Sequence, residues 1–218
     1  MKKIAMFMAA SVLAVSCAGE KAEEVTTGEA QEVIEVAEAK TFNLIDSSTV
    51  VWRGFKTFVD WSHEGTIAVD GKFLIANDKV AGGFIEIDFS EITVAEFADG
   101  TKEEYLLGHI RSEDFFFTDS FPTGSFEIVN VKELAGEGTN SLVVGNLTLR
   151  GITNSIEFPA NINLDNDGVS FEAPVFSIDR TKWGVKYHDR EDASIAASLK
   201  EDLIDHSIEL KFNVRAKA

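Results

Sequence analysis

His109, Ser112 and Asp114 have the residue types of a nucleophilic relay, and they fall within six positions of one another. Spacings of three and five on a short helix entering a turn do not gather all three around one attacking oxygen. The chain also has no nucleophile elbow and no oxyanion-forming glycine loop. The geometry such catalysis needs is absent, and the chain reads as a non-enzyme. His109 then hydrogen-bonds nearby backbone while Ser112 and Asp114 set a turn. If the segment borders a ligand, His109 and Arg111 meet its polar head.

Two other clusters invite a metal. His188, Asp189, Glu191 and Asp192 are close together but match no zinc-ligand spacing, so they read as a solvated loop. Asp165-Asn166-Asp167-Gly168 opens like a calcium loop, yet its twelfth position is Phe176, which has no carboxylate to offer. It reads as a hairpin turn, and no metal site is expected. Asp179 and Arg180 end a strand together. Arg180 is either structural, donating charge-assisted hydrogen bonds to backbone or carboxylate, or it and Lys182 face a ligand head group.

The lone cysteine, Cys17, carries a different chemistry. Lys2 and Lys3 precede an apolar run over 4–15 that is too short to span a bilayer. The run ends in small residues before Cys17, which resembles a bacterial lipobox with Ala14 where Leu is usual. Residues 1–16 are therefore predicted to be a lipoprotein signal peptide and Cys17 the lipidated residue. The predicted location is the bacterial cell envelope, lipid-anchored, facing the periplasm or on the outer membrane surface. Residues 18–40 hold seven glutamates and no aromatic residue, a composition that buries too little to offset ordering. Residues 17–40 are read as a disordered acidic tether, and 41–218 as the folded domain.

The whole chain of 218 residues carries a net charge of −17, which argues against nucleic acid or an anionic membrane surface as partner. Residues 41–218 alone hold 16 basic and 30 acidic side chains. Seventeen phenylalanines against two tyrosines suit apolar packing or an apolar ligand. With no second cysteine to pair, stability must come from the core.

Period-two alternation dominates the elements that hold these residues. Ile67, Val69 and Phe73 oppose Thr66, Asp70 and Lys72. Ile85, Ile87 and Phe89 oppose Glu86 and Asp88, and Ile208, Leu210, Phe212 and Val214 alternate with polar residues. Further strands are predicted over 49–55, 125–131, 142–149, 152–164 and 169–180, with a turn at Asn77-Asp78 and another over 136–140. A helix capped by Thr101 and Glu104 delivers the chain into Phe115, Phe116, Phe117 and Phe121. A second helix is predicted over 192–200. About eight strands, short helices and no βαβ rhythm give an all-β antiparallel barrel or sandwich. The phenylalanine cluster either plugs one end of its core or lines an apolar cavity.

Three motifs carry a family resemblance. HIRSEDFFFTDSFPTGSF (109–126), GNLTLRGITNSIEFPANI (145–162) and FSIDRTKWGVKY (176–187) resemble, in order, the signatures of the YceI-like family. Phe117 stands where that family often has Asp, and Tyr187-His188-Asp189-Arg190 replaces a frequent Tyr-Gly-Ser. The resemblance implies a closed lipocalin-like barrel with an elongated apolar channel, exported, and holding polyisoprenoid or amphipathic lipid chains. A bound isoprenoid, quinone or fatty-acid-like lipid is the implied ligand, with no other cofactor. The domain's negative charge favours a neutral head such as a quinone over a diphosphate.

Strand polarity then nominates Ile85, Ile87, Ile156, Phe158, Phe176, Ile178, Leu210 and Phe212 as channel lining, with Phe115, Phe116, Phe121 and Phe126 closing or lining one end and Trp52 and Trp183 nearby. His109, Arg111, Arg180 and Lys182 are the head-group candidates. The implied partners are an amphipathic lipid and the membrane that holds the anchor, with the protein a monomer or homodimer. The competing reading is a non-enzymatic structural or interaction module of the envelope whose barrel is filled by its own side chains.

Overall fold

Alternating apolar residues turn one face of each strand toward a common interior, and the structure, a computed structural model, shows that interior enclosed by a ring. It describes residues 22–95, 100–135, 138–166 and 168–218. The predicted signal peptide and Cys17 lie outside the described residues, as do Gly136 and Asp167 of two predicted turns. The strands are β1 (Thr26–Glu29), β2 (Lys40–Leu44), β3 (Thr49–Lys56), β4 (Ser62–Ala76), β5 (Lys79–Asp88), β6 (Thr123–Glu133), β7 (Ser141–Leu149), β8 (Ile152–Leu164), β9 (Val169–Glu172), β10 (Phe176–Asp179) and β11 (Ile204–Lys217). Helix α1 (Gly100–Arg111) lies between β5 and β6.

Strands β3 to β8 pair in succession, β9 joins β8 to β11, and β11 returns to β3, all antiparallel. This eight-strand ring is the all-β antiparallel architecture predicted. Two hairpins use two-residue turns with both residues at positive φ: Asn77 and Asp78 (52° and 58°), and Arg150 and Gly151 (51° and 72°). Their left-handed conformation matches the strand twist. The connections at 57–61, 89–95, 100–122, 150–151 and 180–203 gather at one end of the ring, here called the mouth.

The far half of the interior is solid with aromatic rings. Phe126, Phe158, Phe171, Phe176 and Phe212 contact one another, and Phe73 stacks on Phe171 at 5.6 Å. All six are at most 4% exposed. Gly145 is part of this packing, because a Cβ there would sit 2.3 Å from the Phe126 ring.

Several expectations need correction. The strand predicted over 169–180 is broken at Ala173-Pro174-Val175, so that β9 pairs β8 while β10 pairs β11 alone. Proline has no N–H to donate to a ladder. The break exposes the β8 edge, and β1 fills it: Thr26–Glu29 pairs with β8, and Val25 and Ser177 link it to β10 by N–H···O bonds of 2.9 Å. Asn146 then clasps the backbone of Gln31, donating to its carbonyl at 2.7 Å and accepting from its N–H at 2.9 Å. Residues 23–31 are therefore held against the sheet rather than free in a tether, and strand pairing starts before residue 41. Composition misses this because the segment is ordered by backbone pairing rather than by burying large side chains.

The second correction is residues 192–200, which form successive turns rather than a helix. Ser194 and Ser198 bond back to Asp192 and to the Ile195 carbonyl, giving the backbone local alternatives to a helix. The third is the α1 start: the helix begins at Gly100, which puts Thr101 inside it rather than at its N-cap.

Candidate functional site: an apolar cavity open at the mouth

Above the phenylalanine-filled half, the ring encloses a cavity of about 420 Å³. Strand interiors supply most of its wall: Val50, Ile67, Ile87, Leu147, Leu149, Ile178, Ile208 and Leu210, with Phe212 as floor. Helix α1 and the turn after it supply Leu106, Ile110, Phe115 and Phe116, and Phe116 is fixed by stacking on Phe89 at 4.2 Å. Trp52 also lines the wall, its indole N–H donating to the Thr93 carbonyl at 3.2 Å.

The nominated lining residues thus separate into two groups. Trp52, Ile87, Phe115, Phe116, Ile178, Leu210 and Phe212 face the cavity. Ile85, Phe126, Ile156, Phe158, Phe176 and Trp183 do not; they are buried in the core, and Trp183 donates its indole N–H to the Leu147 carbonyl at 2.9 Å. Phe121 is outside as well, edge-on to Phe117 at 6.1 Å and against Gly151. Alternation identifies the inner face of a strand but not the height at which the interior changes from filled to hollow. Val50, Ile67, Leu147 and Leu149 alternate inward in the same way and were missing from the nominated set only for that reason.

Polar groups collect at the mouth. His109 Nδ1 lies 2.8 Å from Asp114 Oδ2, which fixes the ring's orientation. Ser112 donates to the His109 carbonyl at 2.8 Å rather than to its ring, so the three residues do not form a relay. Tyr105, His109, Tyr187 and His188 follow one another in ring contact, with Tyr187 stacked on His188 at 3.9 Å. Burial, with Asp114 and Tyr105 nearby, pushes the Tyr187 phenol above its ordinary value. It is therefore a hydroxyl donor at neutral pH. Lys56 borders the opening and is paired with Asp202 at 2.8 Å.

Of the head-group candidates, His109 and Arg180 border the cavity. Arg180 is 1% exposed and donates to the carbonyls of Asp205 (2.8 Å), Val185 (2.7 Å) and Ile204 (3.1 Å). Burial lowers its pKa, opposed by Asp189, Asp179 and Asp205. Its bonds tie β11 to the 184–189 segment, and Asp189 meets His206 there at 2.6 Å. Arg111 and Lys182 are not at the cavity. Arg111 donates to the Ser90 carbonyl, and Lys182 pairs with Glu24 at 3.2 Å on the outer surface.

A family model described as the YceI-like domain matches residues 23–216. UPF0312 protein SAB2563 of Staphylococcus aureus (strain bovine RF122 / ET3-1) is 32% identical over 111 residues, 46% of this chain and 61% of that protein. UPF0312 protein SAUSA300_2620 of S. aureus (strain USA300) matches to the same extent. The chain thus spans about three fifths of the length of these curated relatives. Among solved structures, BcnA of Burkholderia cenocepacia superposes with a TM-score of 0.57 at 20% identity, covering 78% of this chain and 96% of that one. A Campylobacter jejuni YCEI protein aligns over 98% of this chain and 99% of its own at 15% identity and a TM-score of 0.47.

Proposed function

Because the chain belongs to the YceI-like domain family, whose model spans 23–216, we propose that it holds the apolar chain of an amphipathic lipid in the cavity, head group at the mouth. Family membership supports a binding role for hydrophobic molecules. The carrying observation is the polarity gradient: aliphatic and phenyl groups below, His109, Tyr187 and His188 only at the opening. Such a pocket buries an apolar body and orients it by a few polar groups. A volume of about 420 Å³ lies in the range of small-molecule pockets. That suits a fatty-acyl chain, a short isoprenoid or a quinone with a short tail. A neutral or weakly polar head suits a rim whose lysine is already paired. The role is storage, transport or sequestration, without catalysis.

In this reading Cys17 is lipidated and keeps the barrel at the envelope, so Cys17→Ser should free the protein from the membrane fraction. The cavity itself is tested by mass spectrometry of an organic extract of the purified full chain. Apolar molecules of acyl or short prenyl length are expected, and Ile87→Trp, which fills the cavity, should exclude them while keeping the fold. An empty extract, with no uptake of a fluorescent fatty acid, overturns the reading. It would leave the self-packed module, a reading favoured by the phenylalanine-filled half of the ring.

A further inference from the structure

The hairpin between β3 and β4 has the sequence Thr57-Phe58-Val59-Asp60-Trp61. Its stems line the cavity mouth, while Phe58 is 58% and Trp61 53% exposed. On α1, Tyr105 also borders the mouth and is 72% exposed. The tip is held in place: Lys56 N–H donates to the Trp61 carbonyl at 3.0 Å, and Thr57 N–H to the Leu203 carbonyl at 2.8 Å. Large rings displayed to water on a fixed hairpin mark a contact surface. Tryptophan and tyrosine, each with an apolar body and a polar tip, suit the boundary between water and lipid.

We propose that the mouth docks onto a zwitterionic lipid surface through Phe58, Trp61 and Tyr105, so that a ligand chain passes between bilayer and cavity without crossing water. The inference rests on the reading of the cavity as a lipid-chain site. Charge selects the kind of surface. The charged residues beside the rings, Asp60 and Glu104, are acidic, in a chain of net charge −17. An anionic surface would repel this rim, and Lys56 at the mouth is already paired with Asp202. A zwitterionic surface does not repel it, and docking by apolar insertion changes little with salt.

The test places the full chain carrying Trp52→Phe, which removes the indole of the cavity wall, on phosphatidylcholine vesicles with brominated acyl chains, which quench tryptophan emission on contact. Trp183 is 0% exposed and serves as the unquenched internal control. The expected result is quenching that disappears in Trp61→Phe, persists at high salt, and weakens when phosphatidylglycerol replaces phosphatidylcholine. Phe58→Ser, at a ring that is 58% exposed and outside the cavity wall, should reduce the quenching of Trp61 and slow uptake of a fluorescent fatty acid from vesicles. Uptake of the same probe from solution should stay unchanged. Quenching that survives Trp61→Phe, or that requires anionic lipid, overturns the proposal. So does the absence of quenching, including a case where light scattering shows the rim paired with a second copy of the chain. Loss of uptake from solution by the unaltered chain would instead count against the cavity reading.

Discussion

Phe158 and Phe212 lie with their planes 8° apart and ring centroids separated by 5.7 Å, one inside the packed half of the ring and the other at the cavity floor. The pair marks where the interior changes from core to site. Phe212→Ala should deepen the cavity and cost about 3–5 kcal/mol, the usual range for losing a buried phenyl group. Longer chains should then co-purify, read by mass spectrometry alongside a urea unfolding curve. Phe158→Asp places an unpaired charge behind that floor, and failure to fold is expected. Unchanged chain length in Phe212→Ala would show that this ring does not limit the ligand.

Much of this was legible before the structure. The alternation of Ile85 and Ile87, or of Leu210 and Phe212, gives the correct inner faces because period two is fixed by the pleat. Face is a local property, whereas depth along the ring axis is not. Ile85 and Ile87 share a face, yet only Ile87 touches the cavity. His109 and Arg111 are two positions apart beside the phenylalanine cluster, yet only His109 borders the cavity. Lys182 was not excluded, because its partner Glu24 is 158 positions away in a segment whose composition reads as tether.

Arg180 holds three backbone carbonyls near the mouth while packed among apolar groups. Arg180→Met should leave those acceptors unpaired and cost about 3–5 kcal/mol, as for other broken buried charge networks. Arg180→Lys should rescue little, since one ammonium cannot reproduce the planar fork. Denaturant unfolding of both variants checks this. A methionine variant as stable as the parent would mean water replaces the guanidinium.

The Asp189 carboxyl contributes a pH dependence. Burial would raise its pKa, but the Glu191 amide, His206 and Arg180 together hold it below the ordinary value. A depressed folded pKa adds stability that is present above the unfolded pKa of about 3.9 and lost as pH falls through the folded one. Asp189→Asn should therefore be less stable than the parent at pH 7, by about 1–3 kcal/mol. The difference should shrink below pH of about 4. Thermal melts from pH 2 to 7 report it, and a gap that stays constant across that range would exclude the carboxylate as its source.

The N-terminal strand yields the last prediction. β1 supplies the only strand seen on the β8 edge that the break at Pro174 leaves open, among the described residues. What keeps it there is mostly backbone pairing, plus the two hydrogen bonds between Asn146 and Gln31. Asn146 is 7% exposed, and Asn146→Ala removes both bonds, worth about 1–3 kcal/mol at the usual 0.5–1.5 each. The loss should be local. Amide exchange should accelerate over 25–31 and along the paired β8 residues Asn154–Glu157, while the Phe158 core keeps its protection. Protease should cut near Gln31 in the variant and not in the parent. If the parent is already cut there as fast as an unfolded peptide, β1 is not part of the seam, and residues 22–40 behave as the tether their composition suggests. Protection across the segment would show the opposite. The covalent link toward Cys17 then enters the barrel wall directly, and any pull on it acts on the seam.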